Sequence, residues 1–474
     1  MLRLTSDTPV DTLWDPLLPA QVQQLPDELA VIDQLLADDQ LLQPFRARWA
    51  ELHPDQDLGF GRPTIPMDTY LRFMVIKHRY RWGYETLMRE VSDSLHLRRF
   101  CLVPIVAEVA DESTVRKLTR RLGPELVDEL TRGLFEKATR ERRFRPRALR
   151  PDSTVAEADI RFPTDSGLCA DAVRYLARSA REVRELLPGI REKVRDRSRT
   201  VGKRVRALGR SLCRRTGEAK KAVQRFTEEA AEQVRASVRE AKRLLVSARA
   251  AASRLHESGK QQCDRVIQRL QEVTTLAERV IEQIRKRFAN EEIKNRLVSF
   301  ADPDARPVRR GKLARPNEFG YVVQIAEVTE HTRRGARGLI LPPKLRAGST
   351  PENTLLPETV AELEGLNIQL REAACDAGFV VADTERELTK VKAKVWITGN
   401  PHPGSRRTQR RLARYRVGSE GRIAHVKREY GAGRSRLRGT TGARIWEGWA
   451  IFTYDLMTLA RKAGASRQGG RARR

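Results

Sequence analysis

The chain has 474 residues, of which 40% are hydrophobic and 32% charged, and its formal net charge is +29. That length suggests roughly two to four domains, and so large a cationic surplus argues for a polyanionic partner, above all nucleic acid, whose counterions Lys and Arg displace. No apolar run approaches the ~18 residues a membrane span requires, and the acid- and proline-bearing N-terminus lacks the layout of a secretion signal.

The five cysteines (Cys101, Cys169, Cys213, Cys263 and Cys375) are scattered and form no CxxC pair, and the seven histidines are scattered too. A zinc site or disulfide framework is therefore not expected. A reducing, cytoplasmic and nucleoid-associated location fits.

In chain order, residues 1–140 read as an all-α N-terminal domain. Asp27–Leu41, Met67–Arg79 and Tyr84–Leu95 carry apolar residues three and four apart. Asp111 or Ser113 marks a helix start. Short helices followed by Arg98 and Arg99 suggest either a helix-turn-helix-like DNA reader or a helical scaffold. A basic connector, Arg140–Arg150, leads to strand character over Ala148–Ala158.

Residues 167–296 change character, with little Pro and much Arg, Glu and Ala. Val266, Leu270, Val273, Ala277, Val280, Ile284 and Phe288 recur at heptad steps, and Ala219, Val223, Phe226 and Ala230 continue the style. The expectation is a helical hairpin or coiled coil turning at Ser258-Gly259. Its basic run Arg195–Arg215 is either a solvated face or a track for a DNA backbone.

Residues 297–463 alternate again. Gly320–Val328, Gly338–Leu341 and Ala393–Thr398 read as strands, and Thr354–Leu366, Arg407–Tyr430 and Ala443–Ala463 as helices. The basic end, 464–474, reads as a disordered tail. The order predicts a mixed-sheet α/β or α+β domain (141–166 with 297–463) interrupted by a helical insertion.

Phosphodiester cleavage and joining need an activated oxygen nucleophile and a stabilised leaving oxygen, which two divalent ions supply. Magnesium and manganese favour carboxylate oxygens. Among 62 acids, Asp152 draws notice because Asp is disfavoured inside a strand. Asp376 follows an apolar strand-like run, where α/β sheets place their sites. Glu420 shares a helix face with Arg416 and Lys427 at steps of four and seven.

Three blocks carry a family resemblance. They are Pro151-Asp-Ser-Thr-Val, Cys375-Asp-Ala-Gly-Phe, and the long stretch from Tyr415 through Glu420 and Lys427 to Gly431. Phe60-Gly-Arg-Pro-Thr-Ile-Pro, Asp302-Pro-Asp, Gly311-Lys, Arg434-Ser-Arg-Leu-Arg and Ile445-Trp-Glu-Gly-Trp add to them. The chain resembles bacterial insertion-sequence transposases of the DDE class. The resemblance implies an RNase H-like catalytic domain and two Mg2+ or Mn2+ ions held by Asp152, Asp376 and Glu420. It implies phosphate or DNA contacts from Arg416, Arg422, Lys427, Arg434 and Arg436. It also implies double-stranded DNA with terminal inverted repeats as substrate, and a homodimeric synaptic complex.

The sequence departs from the family at Ala377, where a basic residue is usual, and at Ala413, where a tyrosine is usual. Asp302, Asp304 and Asp383 stand as reserve acids. His425, Trp446 and Trp449 are either DNA contacts or packing residues. The alternatives are a metal-dependent nuclease without strand transfer, or an inactive DNA-binding or architectural protein derived from a transposase.

Overall fold

Helices come first among the elements of this computed structural model, which describes residues 18–52, 65–212, 217–309, 317–400 and 404–471. They are α1 (Ala20–Gln23), α2 (Asp27–Leu36), α3 (Gln43–Leu52), α4 (Met67–Arg79), α5 (Tyr84–Asp93), α6 (Leu95–Phe100) and α7 (Glu112–Arg140). The helix expected over Asp27–Leu41 stops early because Asp38 accepts from the Gln40 N–H and starts a 3-10 turn. Ser94 accepts from the Leu97 N–H and begins α6. Asp111 caps α7 through the Ser113 N–H. Inside α7, Gly123 (φ 77°) precedes Pro124 and breaks the helical path; glycine takes that backbone without strain.

The rest of the chain contains β1 (Ala148–Ala158), α8 (Asp165–Leu186), α9 (Ser198–Leu212), α10 (Gly217–Ala252) and α11 (Glu257–Phe288). Then come β2 (Arg306–Arg309), β3 (Asn317–Thr329), β4 (Leu339–Ile340), β5 (Lys344–Ala347), α12 (Leu356–Gly365) and β6 (Glu372–Cys375). Last are α13 (Val381–Thr389), β7 (Lys394–Ile397), α14 (Arg406–Tyr430), β8 (Arg434–Ser435) and α15 (Gly439–Arg471). Helix α15 takes in most of the expected tail. A helix anchored by packing extends at small cost per residue.

Two compact units emerge, one running up to Ala158 and resuming at Tyr321, the other spanning Asp159–Gly320. The first holds the mixed α/β part. Its sheet runs β3-β1-β6-β7, with β4 and β5 antiparallel to β3. Strands β1, β6 and β7 are parallel, and β8 joins the end of β1 in parallel. β1 is buried along nearly its whole length, as a central strand must be. Helix α14 packs on β1 and β6, while α15 touches β4 and β5 and also α7, α4 and α2. The boundary expected at residue 140 therefore separates no compact unit, because the N-terminal helices and the sheet share α15.

The second unit is a four-helix bundle of α8–α11 rather than a two-helix coiled coil, with α10 packed against the other three. Leu176, Val201, Val234, Leu244, Leu270 and Ile284 lie in its core. The heptad seam of α11 is spent inside this bundle, with Leu270, Val273, Ala277, Val280 and Ile284 all buried. The turn falls between Ala252 and Glu257, so Ser258-Gly259 lies in the first turn of α11. The unit's limits are wider than the expected 167–296, since β2 pairs with the start of β3 inside it.

Several features anticipated from the sequence lie outside the described residues: the N-terminal 17 residues, Phe60–Thr64 of the first motif, Gly311-Lys312, and Cys213 with its basic neighbours Arg214 and Arg215.

Candidate active site

The ladder between β1 and β6 ends at the pair Leu149–Ala373, and β8 takes up β1 only at Glu157. Pro151, which has no N–H to give, and Asp152 sit in the stretch between. Strand alternation places Arg150, Asp152 and Thr154 on one face, and α14 covers that face. Ser419 Oγ donates to Asp152 Oδ2 at 2.7 Å, and the Ser153 N–H donates to Asp152 Oδ1 at 2.8 Å.

Asp376 is the first residue after β6, at the strand's C-terminal end. Arg416 of α14 reaches it, with Nη1 3.1 Å from Asp376 Oδ1. The same guanidinium meets Glu420, one turn on, with Nη2 2.9 Å from Oε1. Burial raises the Asp152 carboxyl above the usual range. The bonds from Ser419 and Ser153 and the charge of Arg416 oppose that rise, and the negative charge of Asp376 adds to it. The three acids proposed from sequence are thus tied to one cation: two by ion pairs, the third by its field. Among the described residues, no three His, Cys, Asp or Glu side chains stand in position to hold a metal ion as they lie; Arg416 is the positive charge between these carboxylates.

A second set of residues, not singled out in the sequence, fixes α14 against the sheet. Glu327 of β3 is 1% exposed. Its Oε2 accepts from Arg150 Nε at 2.7 Å, and its Oε1 accepts from Arg422 Nε at 3.0 Å and from the Gly338 N–H at 2.8 Å. Arg150 also donates to the carbonyls of Tyr415 and Ala336, both at 2.8 Å. Both Glu327 oxygens and all three Arg150 guanidinium nitrogens thus have partners, the condition under which buried charges are tolerated. Gly418 makes the approach possible, because a Cβ there would lie 2.1 Å from Arg150 Nη1. The signal for Glu327 was a charged residue inside an apolar strand. Its partners are distant in sequence and left no trace there.

The expected DNA contacts divide. Arg422 is buried in the pair with Glu327 and under the Tyr454 ring, so it presents no charge to solvent. Lys427 donates to the Val155 carbonyl at 2.7 Å and braces the middle of β1. Arg98 donates to the carbonyls of Ser92, Pro104, Ile105 and Ala107, so it organises the loop after α6. Arg99 is half-buried. Arg434 and Arg436 are exposed, with Arg434 3.7 Å from Glu157.

Trp446 and Trp449 are core residues. Trp446 Nε1 donates to the Gly431 carbonyl, and Trp449 stands edge-on to Tyr70. His425 packs edge-on to Tyr430 and Tyr454. Of the reserve acids, Asp383 pairs with Arg386 on its own helix, and Asp302 and Asp304 belong to the Asp159–Gly320 unit.

Residues 18–121 match the family described as Transposase domain (DUF772). The matched segment is the run from α1 into α7, and it supports a transposase of some kind and a transposition-related function. A stretch of 133 residues is 29% identical to the uncharacterized protein ORF8 in the nfe locus of Rhizobium meliloti, covering 26% of this chain and 64% of that protein. The chain thus spans slightly less than two thirds of that relative's length. No solved structure matches the chain.

Proposed function

We propose that this protein is a DDE-class DNA transposase with an RNase H-like catalytic domain. Its substrate would be an insertion element bounded by terminal inverted repeats, and it would work as a homodimer on double-stranded DNA. The observation that carries the reading is the gathering of Asp152, Asp376 and Glu420 around Arg416 from three separate elements, β1, the end of β6 and α14. The DUF772 match, from a different part of the chain, supports the coarser part of this reading, a transposase of some kind. The mixed sheet, with the first acid on its central strand and the second just beyond the adjacent parallel strand, supports the RNase H-like assignment.

The donor set is oxygen only, as Mg2+ or Mn2+ prefers. The mutual repulsion of Asp152 and Asp376 is of the kind a bound cation relieves. Two such ions, when bound, activate the attacking oxygen and stabilise the leaving one. The chain's own part is positional. Ser419 and the Ser153 N–H orient the Asp152 carboxylate. The buried Glu327 pairs hold α14 against β1 and β3, and Lys427 braces β1 beyond the site. Arg416 neutralises Asp376 and Glu420 until a cation or a DNA phosphate competes for its place.

Replacing Asp152, Asp376 or Glu420 singly by Ala should lower magnesium- or manganese-dependent cleavage of terminal-repeat DNA by roughly a hundredfold or more, with duplex binding retained. Full cleavage by the Asp376 variant would remove that acid from the site. A wild-type chain that binds DNA but never cuts would make this a non-catalytic protein, and one that cuts without joining a nuclease.

A further inference from the structure

The Asp159–Gly320 unit carries more than half of the chain's positive surplus. Through much of the bundle that charge is answered locally. Arg235 meets Glu232 at 2.8 Å, Lys242 meets Glu278 at 2.5 Å, Arg285 meets Glu282 at 2.8 Å and Arg287 meets Asp165 at 2.6 Å. Helix α9 is different. Its sequence, Ser198–Leu212, contains no acid.

The inward side of α9 is used up by packing, with Val201 and Leu208 in the bundle core and Arg204 paired with Glu229 of α10 at 2.9 Å. Among the described side chains, the cations left over are Arg199, Lys203 and Arg206. Steps of four and three put them on one helix face, and all three are exposed. None forms an ion pair with a carboxylate among the described residues, although Asp196 senses the charge of Arg199. Arg191, Lys193 and Arg195, in the connection from α8, are exposed as well.

We propose that the outward face of α9 is a sequence-independent surface for the DNA backbone, separate from the carboxylate site. The choice of DNA as polyanion rests on the transposase reading. At ~1.5 Å rise per residue the three cations span ~10 Å, about three base steps at ~3.4 Å each along one strand. Cations fixed on a packed helix and left without acids repel one another, and phosphates relieve that repulsion while their condensed counterions are released. A bilayer is the poorer partner, because an interfacial helix needs a free apolar side and this one is spent in the bundle core.

The test uses the full chain and a random-sequence duplex, with binding followed by fluorescence anisotropy across a salt series. The triple variant R199Q/K203Q/R206Q should bind at least several-fold more weakly at low salt. Its log K against log salt slope should shrink by about 0.9 for each phosphate no longer neutralised, roughly two to three in all. Unchanged circular dichroism would exclude misfolding, and Arg235→Gln, which removes a cation already paired, should leave the slope alone. If the triple variant keeps the wild-type slope and affinity, the α9 assignment is wrong while the transposase reading stands. If instead α9 governs only binding to phosphatidylserine vesicles, the surface is a membrane one and the proposal is overturned. If the wild-type chain binds no duplex, the transposase reading itself fails and the assignment falls with it.

Discussion

Glu447 shows how a single side chain can set a pH response. It lies fully buried on α15, both carboxylate oxygens lack hydrogen-bond partners among the described residues, and burial raises it from 4.5 to about 8, against the opposing charge of Lys427. The unfolded carboxyl releases its proton near 4.5, the folded one near 8. Between those values the folded state holds the extra proton, so this group's contribution to stability falls as pH rises through the window. Glu447→Gln should flatten that dependence, because the amide has no proton to lose. Thermal unfolding from about pH 6 to pH 9 should show a falling midpoint for wild type and a shallower trend for the variant; parallel trends would assign the response elsewhere. The same residue scale explains Arg422. The family resemblance implied a phosphate contact for it, yet Glu327, nearly a hundred residues upstream, claims it at 3.0 Å.

At the scale of elements, α14 carries the greatest consequence. One helix supplies Arg416, Ser419 and Glu420 to the candidate site, Arg422 to the buried pair and Lys427 to β1. Gly418 sets how closely it approaches Arg150. In an exposed helix, Gly→Ala would gain up to about 1 kcal/mol from propensity. Here the added methyl must displace a guanidinium held by Glu327 and two carbonyls, and disrupting a buried ion pair costs about 3–5 kcal/mol. Gly418→Ala should therefore lower the unfolding midpoint by several degrees and slow cleavage through displacement of Glu420. An equal or higher midpoint would show that Arg150 yields freely. Most of these elements were legible beforehand. The span of β1, α4, the core of α14 and the cap at Asp111 follow from periodicity and capping chemistry. The turn between α10 and α11 falls ahead of the expected Ser258-Gly259, because Gly is a turn signal only where no neighbouring packing favours continued helix.

For the whole molecule, the division at Asp159 and Gly320 makes a direct claim. The bundle of α8–α11 has its own core, with Leu176, Val234, Leu270 and Ile284 inside it. Residues 159–320 expressed alone should be strongly helical and should melt cooperatively by circular dichroism; a broad, non-cooperative melt would mean that the bundle depends on the rest of the chain. The N-terminal helices should not behave so, since α15 packs against α7, α4 and α2 and they lack that cover when cut away. The seam of α11, which its heptad spacing marked as a coiled-coil or hairpin face, is closed within one chain, so the proposed homodimer would be built from other surfaces.

By itself, the sequence determined the alternation of helices and strands, the basic character, the helical insertion and the candidate acids, since these are written in local periodicity, composition and short motifs. Only the tertiary structure decided that Arg416 stands among those acids, that Arg150, Glu327 and Arg422 form a buried lock, that the N-terminal helices share α15 with the sheet, and which cations of α9 remain unanswered. The physical reason is the same in each case. An ion pair or packing contact between residues far apart in the chain imposes no spacing on either of them, and a cation is free or spent according to what the fold brings beside it.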